Sequence, residues 1–552
     1  MIDVIDGCRI RYGRRMVRRY GLLFSLGLAA LALVCLAGVV DASSVRPISE
    51  DYLSLRESFR LLFATLFGSA DAIAEACPDF VRGLPASSSQ PIAHVEIPQH
   101  PFMSANAANN MHCDSYISDT YAVSGPIGIE PTIVSRTQGF GGYGTLTFDR
   151  EGRIVAVYSN GRRFQLELMD PNTLEELASY DLPPRPWYWL LQGIMPWEYI
   201  GAGMYFYLDE QDRAVVPTTE NTIEVIQVPE PGGEFISVRS YDLSAYVVPM
   251  SWPHRDSVAW VLPDWSGAYY WYATTEGMIG TVAVESGHVH TLRLDGEIIE
   301  NSFAVAEDGA YILSDQALYR LSAEDDGTIV IDWRTAYDRG PARKPGHITR
   351  GSGTSVSLMG DANGLVAITD NAEPQIHLQL LKRSDGTLVC EIPLFEEGRS
   401  GTDVSVACFE HATASEQGTG VYSILAENNW GHHSFPRSCP EPGLTRIDVV
   451  RNEDGTYTCR EVWSSEERSI GVFKLSLGSG LAYMYWRSET CPATQWILTA
   501  IDFRTGETAY RQRVGRGLGF NNWAGALFLH PDGGIAYSTT LFGLVMIRDT
   551  QP

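Results

Sequence analysis

Acidic side chains recur at one position of a repeated pattern along this chain. Asn160, Glu220, Glu276, Asp315, Asp370, Glu427, Glu489 and Thr540 each follow a short strand-like run of apolar residues. Six of the eight are carboxylates, and such oxygen donors attract a hard cation when they converge. Asp and Asn also suit turns through local hydrogen bonds, so turn chemistry competes with a shared polar mouth. Glu is not favoured in turns, yet it fills four of the eight positions. The densest constellation is AENNWGHHSFPRSCPEPG, residues 426–443, with Glu427, Asn428, Asn429, His432 and His433. A carboxylate beside amides suits Ca2+, with Glu427 and Asn428 as the expected ligands, whereas imidazoles suit a transition metal. Adjacent histidines on an extended segment point to opposite sides, which weighs against both binding one ion.

The elements that carry these turns read as strands. Residues 302–335 show the unit most clearly: SFAVAEDG, AYILS, ALYRLSAE and TIVIDW, separated by Asp- and Gly-bearing turns. Related units span 145–182, 204–243, 257–294, 355–394, 403–463 and 472–514. Four-strand units repeating every roughly 40–60 residues are the signature of a β-propeller. The last unit, from ALFLHPDG to GLVMIRD, has only three strands. An open ring would leave two unpaired sheet edges, an aggregation liability. The extended stretch TIVSRTQ in residues 131–138 is therefore predicted to pair with residues 543–549 and close the ring. The expected fold is all-β, an eight-bladed β-propeller, with seven blades as the alternative.

AIDFRTGETAY, residues 500–510, resembles the repeat of the quinoprotein-like (PQQ-repeat-like) propellers, Ala-x-Asp-x-x-Thr-Gly-x-x-x-Trp, with Tyr510 at the Trp position. LMDPNTLEELASY and the turns before Trp333 and Trp463 are weaker relatives. The likeness spans about residues 131–552 and speaks for fold more than activity. It implies that the turn after each second strand, and the connections between blades, open on the ligand-binding face. Those connections offer His347 in KPGHITRG, and Asn521, Asn522 and Trp523 in GFNNWAG. They also offer Trp252 and His254, and an insertion carrying Trp187, Trp189 and Trp197. Aromatic walls with a few polar groups make a small-molecule pocket, and they equally keep a buried loop packed. Glu427, Asn428, Asp370 and Asn301 match by type the ligands of calcium-dependent lactonase-like propellers. Quinoprotein alcohol dehydrogenases usually carry a vicinal cysteine pair. This chain has none, which argues against PQQ as cofactor. It also has no GxSxG, HExxH or P-loop.

Arg9, Arg11, Arg14, Arg15, Arg18 and Arg19 precede a charge-free apolar run over residues 21–40. That reads as a signal peptide, or a membrane anchor, within residues 1–42, and makes the remainder exported, periplasmic or extracellular. Residues 43–130 form an extension with a helix expected over 51–84, then a loop-like segment lying along the main body; residues 131–552 are the propeller. The net charge of −26 excludes nucleic acid as a natural partner. Seven cysteines follow residue 42, and export permits disulfides. Cys439 and Cys491 occupy equivalent positions in consecutive blades and are expected to pair, with Cys77–Cys113 as a second pair. Cys390, Cys408 and Cys459 fall inside strands and read as lone thiols. The function expected is binding of a small polar or cationic ligand, or a metal such as Ca2+, at an acidic mouth. The alternatives are a metal-assisted lactonase- or esterase-type hydrolase, and a scaffold for cell-envelope proteins.

Overall fold

The computed structural model describes residues 90–549, except 107, 139–140, 186–200, 202, 248–255, 346, 348, 413–419, 432–439, 488–494, 517 and 523–524. The expected leader, the helix over 51–84, and Cys77, Cys439, Cys491 and Trp523 lie outside the described residues. Eight sheets follow one another along the chain, so the ring has eight blades and the seven-bladed alternative falls. Seven blades are contiguous units, running in order from the inner to the outer strand. The three inner strands of a blade lie between neighbouring blades and are buried on both faces, as in Ile154–Ser159 and Phe164–Met169. This is why they read as near-continuous apolar runs. The fourth, outer strands alternate with solvent, as in Glu176–Leu182 and Ile329–Ala336.

Blades dock through one recurring contact. The Trp333 indole of blade 4 donates to the Arg383 carbonyl of blade 5 at 2.9 Å and covers Gly386. The Trp463 indole of blade 6 donates to the Phe503 carbonyl of blade 7 at 2.8 Å and covers Gly506. Both glycines have positive φ, and a Cβ on either would sit 2.6 Å from the indole, so only glycine serves. These are the Gly and Trp positions of the repeat.

The ring closes as predicted. Thr132–Thr137 pairs antiparallel with Gly543–Arg548, from Thr132↔Arg548 to Thr137↔Gly543, and supplies the eighth blade's outer strand. Arg136 fastens that strand to blade 1. Its buried guanidinium lies 3.0 Å from Glu176 and 3.3 Å from Glu167, and donates to the Leu174 carbonyl. The turn missing from blade 8 is rebuilt from two pieces of chain. Asp549 accepts from the backbone N–H groups of Ile127, Gly128 and Ile129 at 2.6–3.0 Å. Asp502 of blade 7 does the same within one contiguous turn, accepting from Arg504 and Thr505. Tyr510 then covers Gly128 as Trp463 covers Gly506.

Residues 90–130, expected as a loop-like segment along the main body, form an integral strap. Ile92 and Val95 donate to the Leu477 and Glu410 carbonyls where the inner strands of blades 7 and 6 end. Ser104 reaches Leu208 at the corresponding end of blade 2. The chain then enters the axis. Carbonyls of Ser115, Tyr116, Ser118 and Asp119 accept from Val305, Leu358, Cys408 and Leu475, on the inner strands of blades 4, 5, 6 and 7. Thr120–Tyr121 adds a parallel strand to blade 7. The strap thus satisfies inner edges that would otherwise face an open channel.

Two cysteine expectations are corrected. Cys390 and Cys459 are joined to each other, bridging the outer strands of blades 5 and 6 with their Cα atoms 6.2 Å apart. Outer strands of adjacent blades meet here, and reading each strand alone hid that. Cys113 is a free buried thiol, so the Cys77–Cys113 pair is not formed on its side; Cys408 is a free buried thiol, as read.

Candidate functional site

Each inner strand is entered from one face of the ring and left at the other. The strap covers the exit face. On the entry face, the residues leading into the inner strands surround the axis. Three of them, Tyr205, Asn301 and Asp403, are half-buried. Glu300 and Glu427 are buried beside them.

The electrostatics of this mouth are those of gathered carboxylates. Burial pushes the Asp403 carboxyl well above its ordinary value, and the nearby Glu300 and Glu427 charges push it further. Burial likewise raises the Glu427 carboxyl well above the usual range, against the hydrogen bond from Asn429. Asn429 donates to Glu427 Oε1, while Oε2 is buried with no hydrogen-bond partner. Thr349 donates to Glu300, and Asn301 donates to the Gly353 carbonyl of the next blade's lead-in. Tyr205 stacks on His112 with centroids 6.3 Å apart and leans on the Trp260 ring at 5.9 Å. An aromatic wall thus stands against an acidic one.

The floor of the mouth is a charged network on the strap. Lys474 donates to Asp119 and to the Met111 carbonyl, the latter at 2.7 Å. His112 Nδ1 lies 3.0 Å from Asp119 Oδ2, and Ser405 donates to the same oxygen. Burial would raise the Asp119 carboxyl, but Lys474 and His112 outweigh it and hold it below the ordinary value.

Of the described residues expected from sequence, Glu427 is the acidic turn residue that joins this mouth, and Glu489 lies outside the described residues. Glu220 and Glu276 are exposed ordinary turns. Asp315 is buried, pairs with Arg339 and accepts from the Ile298 N–H. Asp370 accepts from the backbone N–H of His377 and lies 2.8 Å from its Nδ1. With Glu391 these two form the one group of three ligand-type side chains close enough for a metal among the described residues. It sits on blade 5, Glu391 being on the outer strand, and apart from the acidic mouth. Asn428 is no free ligand: its amide donates to the Arg399 and Pro442 carbonyls and accepts from Trp430 N–H, pinning the loop. His347 is buried and, with Lys344 and Trp430, packs on Gly401 just ahead of the mouth residue Asp403. Asn522 ties its own loop through the Gly525 carbonyl, and Asn521 gives its carbonyl to the Leu541 N–H. Glu300, Asp403, Tyr205, His112, Asp119 and Lys474 were missed. The available signal was position: Glu300 and Asp403 stand just before inner strands, nearer the axis than any turn after a second strand.

No family model matches the chain, and no curated protein does. Solved structures similar to it include a europium-containing methanol dehydrogenase, at 9% identity over 78% of this chain and 89% of that one, with a TM-score of 0.45. BamB from Moraxella catarrhalis matches at 13% identity over 64% and 93%, with a TM-score of 0.34. The Cps50 (Swd1) β-propeller domain of Myceliophteria thermophila matches at 9% over 62% and 94%, also at 0.34. At such identities the likeness concerns the fold alone.

Proposed function

We propose that the protein is an exported ligand-binding propeller that takes a small cation at its axial mouth. The carboxyls of Glu300, Asp403 and Glu427 attract a hard cation such as Ca2+ by their combined field, without standing close enough to ligate one ion together. The observation that carries this reading is Glu427, 1% exposed, with one carboxylate oxygen lacking any hydrogen-bond partner and Asp403 within its field. A buried carboxylate so placed is costly unless a cation or a proton joins it. A bound cation reverses the upward shift of Asp403 and Glu427, so binding releases protons and tightens as pH rises. The Cys390–Cys459 bridge supports export, since disulfides persist in oxidising compartments.

Calorimetric titration with CaCl2 in chelator-stripped buffer, at pH 6 and pH 8, tests the reading. One site is expected, tighter at pH 8 and weakened at least about tenfold in Glu427→Gln. Tetramethylammonium, titrated in parallel, reports whether the aromatic wall makes the site one for organic cations. Absence of binding by either cation, or an affinity indifferent to Glu427→Gln, refutes it.

A second reading, a cell-envelope scaffold, is favoured by the outer strand of blade 2. Ile236 and Val238 are exposed there, 61% and 51%, beside a β-bulge. Co-purification of a membrane complex that is lost in Val238→Lys would establish it, and a monodisperse, partner-free protein would not.

A further inference from the structure

Beneath the mouth lies a line of side chains that cation binding does not use. Ser355 Oγ stands 3.5 Å from His112 Nε2, and His112 Nδ1 stands 3.0 Å from Asp119 Oδ2. Ser355 comes from the lead-in of blade 5, while His112 and Asp119 come from the strap. All three are buried. Asp119 already accepts from Lys474 and from the Ser405 hydroxyl, so it is held as a carboxylate. A carboxylate only accepts, so it fixes the Nδ1–H tautomer of His112 and leaves the Nε2 lone pair toward Ser355. Ser355 and Ser405 stand three residues before Leu358 and Cys408, the positions where the strap bonds consecutive blades. Yet they meet opposite nitrogens of one imidazole. Ser405 is tied to Asp119, whereas the Ser355 hydroxyl has His112 as its hydrogen-bond partner among the described residues. Nucleophile, base and orienting carboxylate in this sequence of contacts are the constellation of acyl transfer, which is recognised by geometry and not by chain order.

We propose that Ser355 is a nucleophile activated by His112, with Asp119 as the positioning residue, and that the protein cleaves esters at the floor of its axial mouth. Ser355 Oγ attacks the ester carbonyl carbon as its proton passes to His112 Nε2. The bond from carbon to the leaving oxygen breaks, and His112 returns the proton to that oxygen, releasing an alcohol. Water then attacks the acyl-serine. It gives a proton to His112, which passes it to Ser355 Oγ as the free acid departs. The 3.5 Å separation is at the long end of hydrogen-bond reach, and catalytic hydrogen bonds tighten in the reacting complex. Glu300, Asp403 and Glu427 line the way in and repel anions, so the ester is neutral or carries a cationic group; this last point rests on the cation-binding reading. Tyr205, stacked on His112, supplies the wall that such a cationic group would face.

The full-length protein is incubated with a neutral alkyl fluorophosphonate and the adduct is mapped by peptide mass spectrometry. The adduct is expected on Ser355 of the wild type, absent in Ser355→Ala and retained in Ser357→Ala, whose hydroxyl serves the Val406 carbonyl instead. Labelling is expected to slow at least about a hundredfold in His112→Gln, the size of general-base effects. Mapping on the wild type decides the matter even if a variant fails to fold. No adduct at Ser355, or equal labelling of Ser355→Ala, overturns the proposal and leaves the network as a fastener of the strap. Turnover of acetylcholine against ethyl acetate in Glu427→Gln separates the two readings. Labelling without any charge preference retains the nucleophile and removes the acidic mouth as its filter.

Discussion

Replacing Lys474 with Met isolates the charge that locks the strap into the axis. Met keeps the aliphatic stem and deletes the ammonium. Two acceptors lose their donor: the Met111 carbonyl at 2.7 Å, and Asp119, whose side chain has no exposed surface. Removing one partner of a fully buried pair costs about 3–5 kcal/mol, because the other charge stays buried without it. His112 and Ser405 still face Asp119, which places the expected cost at about 3 kcal/mol, the lower end of that range. The pH dependence has a definite sign. The Asp119 carboxyl is held below its ordinary value, so in the wild type its contribution is present above the unfolded value. It is lost only as pH falls through the lower, folded one. Without Lys474 the carboxyl protonates at higher pH and sheds the buried charge, so the variant's deficit is largest at pH 7 and shrinks toward pH 5. Adding Asp119→Asn to Lys474→Met should recover more than half of the loss at pH 7. Urea unfolding followed by tryptophan fluorescence at the two pH values measures all of this. A deficit under about 1 kcal/mol at pH 7, or a double variant less stable than the single one, would refute a charge-locked strap.

Deleting residues 132–137 should leave a protein that unfolds or oligomerises, since it bares the edge of Gly543–Arg548; size-exclusion chromatography checks it. Asp549→Ala strands three backbone donors and should lower stability by about 1–3 kcal/mol, read from the urea midpoint. Cys390→Ser with Cys459→Ser should cost up to about 4 kcal/mol, the loop-closure entropy of a bridge spanning 69 residues, with reducing agent destabilising the wild type alone. Glu220→Gln with Glu276→Gln should shift stability by less than about 0.5 kcal/mol and leave cation affinity unchanged, because both side chains point to solvent as turns.

The ring was legible because burial on both faces writes itself into sequence as unbroken apolar runs, such as IVAVYS at 154–159 and LAYMYW at 481–486. The closing strand was legible through what was missing: a three-stranded last unit needs a partner, and TIVSRT is the extended segment nearest the first blade. The strap's path was not. It binds the inner strands through its own carbonyls, which any side chain permits, so residues 90–121 carry no period. The mouth was half legible. Counting carboxylates at turns found Glu427 and overcounted Glu220, Glu276, Asp315 and Asp370, because a turn after a second strand lies one strand out from the axis. Asp370 and Asp315 answer to local backbone N–H groups instead. Asp403 sits in GTDVSV and Ser355 in GTSVSL, two like stretches that no sequence period marks as standing at the axis.

The strap explains why the two ends of the axis differ chemically. It brings Asp119 and His112 to the inner strands from the covered face, and there the Lys474 ammonium meets Asp119 and the Met111 carbonyl. The field of that cation is therefore directed at Asp119, whose carboxyl is lowered, and not at the mouth, where the Asp403 and Glu427 carboxyls are raised. Had the axis been an open tube, water would enter from both faces and screen these charges toward ordinary values. The strap fills one side of the axis, and the half-buried Tyr205, Asn301 and Asp403 stand on the other. The acidic residues and the Ser355–His112–Asp119 line stand on the same side of the Lys474 ammonium, linked through Tyr205, which stacks on His112.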